Sequence, residues 1–151
     1  MTYDARQIAN WLFRRARADN RSLSIMSLLK LTYIAHGWHL EMRKTPLFSN
    51  RIEAWQYGPV IPDVYKALRE QGITVTREAQ GFYSNLDGNT ENLLEQVYDL
   101  YAGLSAFRLS DLTHESGGPW HIATQMSGYH APIPNDLIQK HYEMKRMQNA
   151  H

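Results

Sequence analysis

With no cysteine in the chain, its seven histidines are the side chains best suited to chemistry. His36 and His39 stand three apart and share a face if their segment is helical, as two ligands of a zinc ion would. The His-Glu-x-x-His pattern that would strengthen that reading is absent. The aromatic-rich surroundings favour a packed pair, one ring in the core with its nitrogen satisfied and the other at the surface. Thr113, His114 and Glu115 supply the groups of an acid–base set. Neighbours on a helix point in different directions, however, so a His114-dependent enzyme is an alternative and not the leading reading. The missing cysteine excludes disulfides, thiolate nucleophiles and cysteine-ligated metals. Neither a glycine-rich phosphate cradle nor a Gly-x-Ser-x-Gly elbow is present. No catalytic residue, metal or cofactor is expected.

Binding is a better prospect than catalysis. Glu91, Glu95 and Asp99 recur every four residues and form one acidic stripe, within a stretch, 85–116, of net charge −5. The stripe is either a solvated face or a docking face for a basic partner, where complementary charge sets approach rate and specificity. Residues 1–22 carry net charge +3 through Arg6, Arg14, Arg15, Arg17 and Arg21. Those arginines lie all round the first helix, so a DNA-binding regulator is only a further alternative. Tyr57-Gly58-Pro59-Val60-Ile61-Pro62 is the most unusual stretch, a tight turn between the aromatics Trp55, Tyr57 and Tyr65. It reads as a rigid corner seating the next helix, or as a preorganised surface with aromatic anchors of the kind that dominate interfaces.

The elements that must position these residues follow from the apolar spacing. Ala5, Ile8, Ala9, Leu12 and Ala16 mark an amphipathic helix over roughly 4–18. Ser24 caps a second helix over about 24–42, with a face broad enough for a central buried position. Residues 51–57 are ambiguous between strand and helix until Gly58-Pro59 breaks them. Pro62 opens a helix over about 62–71. Ile73–Thr76 alternates with period two and, with Phe82-Tyr83, suggests a short hairpin. Asn89 or Thr90 caps a helix over about 90–103, and Ser110 one running through Glu115. Pro119 opens another to about Met126, and a last helix covers 134–147. The expected architecture is mainly α: a compact single-domain bundle of about six helices with a small β-hairpin, over residues 1–151.

Composition agrees with a globular domain. Of the 151 residues, 43% are apolar and 21% charged, with 4 Trp, 9 Tyr and 4 Phe, too aromatic for a disordered chain. A net charge of +1 gives no global field for nucleic acid or an acidic membrane. No run of about 18 apolar residues exists, and the N-terminus does not read as a secretory signal, so a cytoplasmic protein is expected.

The order of these motifs resembles the Panacea-domain family, which takes in SocA-like antitoxins and phage-associated GepA-like proteins. Lys30-Leu31-Thr32-Tyr33-Ile34-Ala35-His36-Gly37-Trp38 is similar to its helix-two signature, and Ile52 to Tyr65 to its central motif. Leu109 to His114 with Pro119-Trp120 match a third block, and Ile133-Pro134 with Tyr142 the close. The resemblance implies a mainly helical antitoxin that contacts a cognate protein toxin, usually encoded by the adjacent gene. It also implies, for one member, delivery of the toxin to a cellular protease, and for others a phage or mobile-element setting. Trp55, Tyr57, Gly58, Pro59, Tyr65, Glu91, Glu95 and Asp99 are the expected contact residues. Lys30, Trp38, Thr113, His114, Pro119 and Trp120 are motif residues without an assigned role. Lys30 alone is charged within an apolar stretch; its stem is expected along the core edge with its amine in water, or paired so as to hold the Tyr57–Pro62 turn.

Overall fold

The structure, a computed structural model, describes residues 2–83 and 85–149. Asp4 accepts a hydrogen bond from the backbone N–H of Arg6 and starts α1 (Ala5–Ala18), whose Ile8, Ala9, Leu12 and Ala16 turn inward. Ser24 caps α2 (Ile25–Arg43), which ends where Lys44 adopts the left-handed conformation. Fifteen of the 19 residues of α2 are buried, so it is the axle of the molecule. Around it pack α1, α3 (Pro62–Leu68), α4 (Gly88–Tyr101), α5 (Ala106–Thr113) and α7 (Asn135–Asn149). A 3-10 turn, Arg69–Gln71, extends α3, and α6 (Pro119–Ser127) lies between α5 and α7 in sequence.

Three short strands complete the fold. β1 (Glu53–Trp55) lies between β2 (Gly58–Val60) and β3 (Ala131–Pro132), antiparallel to both. Glu53 is opposite Val60 and Trp55 opposite Gly58, so Gln56 and Tyr57 form the turn. The buried apolar residues form one continuous core. Two helices approach closely at Gly37, where a Cβ would stand 2.2 Å from the Tyr142 ring of α7. None of the helices described is long and apolar enough to cross a membrane.

The mainly α class is as expected, with seven α-helices among the described residues. The hairpin is not where it was expected. Residues 73–76 are extended but pair with the segment before α2: the Ile25 N–H donates to the Ile73 carbonyl and the Val75 N–H to the Leu23 carbonyl. Phe82 is held elsewhere. The buried Asn10 amide donates to the carbonyls of Ala79 (2.9 Å) and Phe82 (3.0 Å) and accepts from the Ala79 N–H. The hairpin is at 53–60 instead: part of the ambiguous segment 51–57 is its first strand, and Gly58-Pro59, expected as a break, opens its second. Two caps also differ: Asp87 accepts from the Thr90 N–H to start α4, and Ser105 from the Arg108 N–H to start α5 five residues before Ser110.

Candidate functional site

The β1–β2 turn, α3 and α5 enclose an apolar groove of about 550 Å³, lined by Met26, Trp55, Tyr57, Val60, Tyr65, Ala106, Phe107 and Ser110. Its two most prominent rings are open to solvent: Tyr57 is 66% exposed and Phe107 85%. Trp55 and Tyr65 meet edge to face at 5.2 Å and build the inner wall. The Trp55 indole N–H donates to Glu53, which also pairs with Arg51. Trp120 of α6 donates its indole N–H to the Trp55 carbonyl at 2.7 Å, closing the end of β1.

Two elements, α5 and α2, grip the turn. Ser110 Oγ of α5 donates to the Tyr57 carbonyl at 3.1 Å. The Nζ of Lys30, on α2, donates to the Pro59 carbonyl at 3.2 Å. Gly58 has φ +119°, a conformation that favours glycine, and a Cβ there would lie 2.8 Å from His114 Cε1 and 2.9 Å from Lys30 Nζ. Lys30 is 1% exposed, so its amine is not in water as the stem-along-the-edge reading expected; it holds the turn. Burial lowers its pKa to about 8.

The His114 ring is held by a hydrogen bond and a ring contact. Its Nδ1 lies 2.7 Å from the Ser110 carbonyl and so carries the proton, and the ring packs edge-on against Trp120 at 4.3 Å. A protonated Nδ1 cannot take a proton from the Ser110 hydroxyl 3.3 Å away. Thr113 Oγ1 donates back to the carbonyls of Leu109 and Ser110 in its own helix, and Pro119 is buried at the first turn of α6.

Both His36 and His39 are buried, at 1% and 4% exposed, whereas one of them was expected at the surface. His36 Nε2 meets Asn135 Oδ1 at 2.8 Å and its ring stacks on Phe48; His39 Nδ1 donates to the Thr45 carbonyl. Desolvation holds His36 down at about 4 and lowers His39 also. Among the described residues no three His, Asp or Glu side chains converge as metal ligands would.

The two charged stretches of the sequence meet each other. Arg15 Nε–H is shared between both carboxylate oxygens of Glu95, and Glu91 accepts from the Trp11 indole at 3.0 Å; Asp99 stands exposed. The arginines of 1–22 are all engaged within the chain: Arg6 on Asp4, Arg14 on Glu78, Arg17 on the Thr76 carbonyl, and Arg21 over the Tyr98 ring. Trp38 lines a second groove, of about 470 Å³ between α2, α4 and α7, and donates to the Tyr101 hydroxyl.

Trp55, Tyr57 and Tyr65 are thus brought together, while Glu91, Glu95 and Asp99 lie on a separate element, α4. Phe107, Met26 and Ser110 complete the groove without having been expected there. Phe107 had a readable signal. In α5 the inward stripe is Ala106, Leu109 and Thr113, and Phe107 falls off it, an aromatic turned outward by helix phase. The signal is lost when the helix is started at Ser110.

A family profile described as "Antitoxin SocA-like, Panacea domain" matches residues 28–121, from α2 to the first turn of α6. The chain belongs to this family of SocA-like, Panacea-domain antitoxins. Over 136 residues it is 33% identical to the protein named Antitoxin SocA of Caulobacter vibrioides (strain NA1000 / CB15N), covering 83% of this chain and 72% of the relative. No solved structure matches the chain.

Proposed function

We propose that the protein is a non-enzymatic antitoxin that neutralises a cognate protein toxin, encoded by the neighbouring gene, by direct contact in the cytoplasm through the Tyr57–Phe107 groove. The observation that carries this reading is the pair of outward rings, Tyr57 and Phe107, on a turn and a helix that are themselves fixed from within. Exposed aromatics on rigid supports are the side chains that anchor protein interfaces at low ordering cost. Family membership and the antitoxin relative support the role. The engaged arginines of 1–22 favour a protein partner over nucleic acid.

Co-expression with the neighbouring gene's product tests the role: growth should be arrested by that product alone and restored by this protein. A harmless product, or undiminished arrest, defeats the reading. Tyr57→Ala and Phe107→Ala should each weaken binding by about tenfold, as interface anchors do, with little change in melting temperature. The acidic stripe remains part of the proposed contact surface through its free member. Asp99→Lys is the clean probe, because reversal at Glu95 also breaks the bond to Arg15. Unchanged affinity and salt dependence in Asp99→Lys remove the stripe from the interface.

A further inference from the structure

The buried amine of Lys30 has no stabilising rationale of its own. It makes no ion pair among the described residues, and its hydrogen-bond partner is a single backbone carbonyl. Burying an ammonium without a counter-ion is costly, and an apolar chain of the same length would fill the space more cheaply. What the amine does is local. It holds the Pro59 carbonyl from the α2 side, while Ser110 holds the Tyr57 carbonyl from the α5 side. Between these two bonds lies Gly58, with the Lys30 amine and the His114 ring so near that not even a methyl group fits.

We propose that Lys30 is a positioning residue for partner binding: its bond to Pro59, opposing the Ser110–Tyr57 bond, locks the turn in the conformation that presents Tyr57 to the groove's occupant. This rests on the docking reading above. A locked turn reduces the ordering cost of association. A turn that holds the competent conformation only part of the time weakens the apparent affinity by that fraction.

The lock is sensitive to pH. The groups facing the amine are the Pro59 carbonyl of β2 and the His114 ring of α5, while Tyr33, one turn along α2, stays neutral. Burial alone sets the pKa of Lys30 at about 8, with no charged group of any packed element contributing. The charge-assisted bond is therefore near full strength at pH 7 and weakens as pH rises through about 8.

The test compares wild type with Lys30→Met, which keeps length and removes the donor, in two measurements. The first is amide hydrogen exchange of residues 53–60, corrected for intrinsic rates. The second is affinity for the purified product of the neighbouring gene between pH 7 and 9. The expected result is exchange about fivefold faster or more in 53–60, with α1 and α4 unchanged, and affinity about five- to tenfold weaker at pH 7. Wild-type affinity should fall towards the mutant value by pH 9, and the mutant profile should be flat. Melting temperature at pH 7 should rise in Lys30→Met, the opposite of what a merely structural role predicts. Gly58→Ala should weaken binding from the other side with Lys30 intact. Unchanged exchange in Lys30→Met, or unchanged affinity in either variant, overturns the lock. If wild type itself does not bind that product, the docking reading fails, while the exchange rates still decide whether Lys30 locks the turn.

Discussion

At the scale of single residues, two buried bases set the pH response of stability. His36 titrates at about 4 in the fold, against an ordinary value of 6.5. Between those values the unfolded chain binds the extra proton, so stability falls as pH drops from 6.5 to 4, by up to about 3 kcal/mol from this group. His36→Gln keeps a donor for Asn135 and removes the titration; its urea-unfolding free energy should lose much of the slope between pH 6.5 and 4, with His39, His141 and, towards pH 4, the carboxylates lowered in the fold, Glu143 and Asp87 among them, supplying the remainder. Lys30 acts at the other end. Its folded value of about 8 lies below the ordinary 10.5, so the unfolded chain again holds more protons and stability rises with pH from about 8. Above pH 10 the trend reverses, because burial raises Tyr33 and Tyr142 and the unfolded chain releases their protons first. Lys30→Met should flatten the rise between pH 8 and 10 and leave the fall beyond it.

At the scale of elements, the contact of α2 with α7 depends on Gly37. Any side chain there overlaps Tyr142, so Gly37→Ala must push the helices apart or expel the ring. The expected loss is about 1–3 kcal/mol or more by denaturant unfolding, the range for overpacked cores. Ser105→Ala should cost about 1 kcal/mol through the lost cap of α5 and should disturb Phe107 and Ser110 with it. Nothing in the sequence around Gly37 announces the first effect, since its partner is far along the chain. Helices were legible because their apolar spacing repeats: α1, α2, α4, α6 and α7 begin and end within two residues of expectation. Strands of two or three residues contain no repeat to read, and their partners are set by distant contacts, which is why the hairpin was expected at 73–83 and lies at 53–60. The aromatic turn of the site was legible from residue types alone. The hold of Lys30 on that turn was one of two readings left open, because a lysine in an apolar stretch reads the same with its amine in water or in the core.

At the scale of the whole molecule, α1, α3, α4, α5, α7 and β2 all rest on α2 and share one core. Loss of any of them bares the axle, so unfolding should be a single cooperative event. Far-ultraviolet circular dichroism and tryptophan fluorescence should give coincident denaturant midpoints; separated midpoints would show a part that unfolds alone. The axle has another consequence. The architecture is specified by side chains turned towards α2, whereas the outward faces of α3 and α5 and the tip of the turn contribute little to it. Their residues can be exchanged almost independently of folding, so under the docking proposed above a handful of outer positions would re-address the same scaffold to a new target.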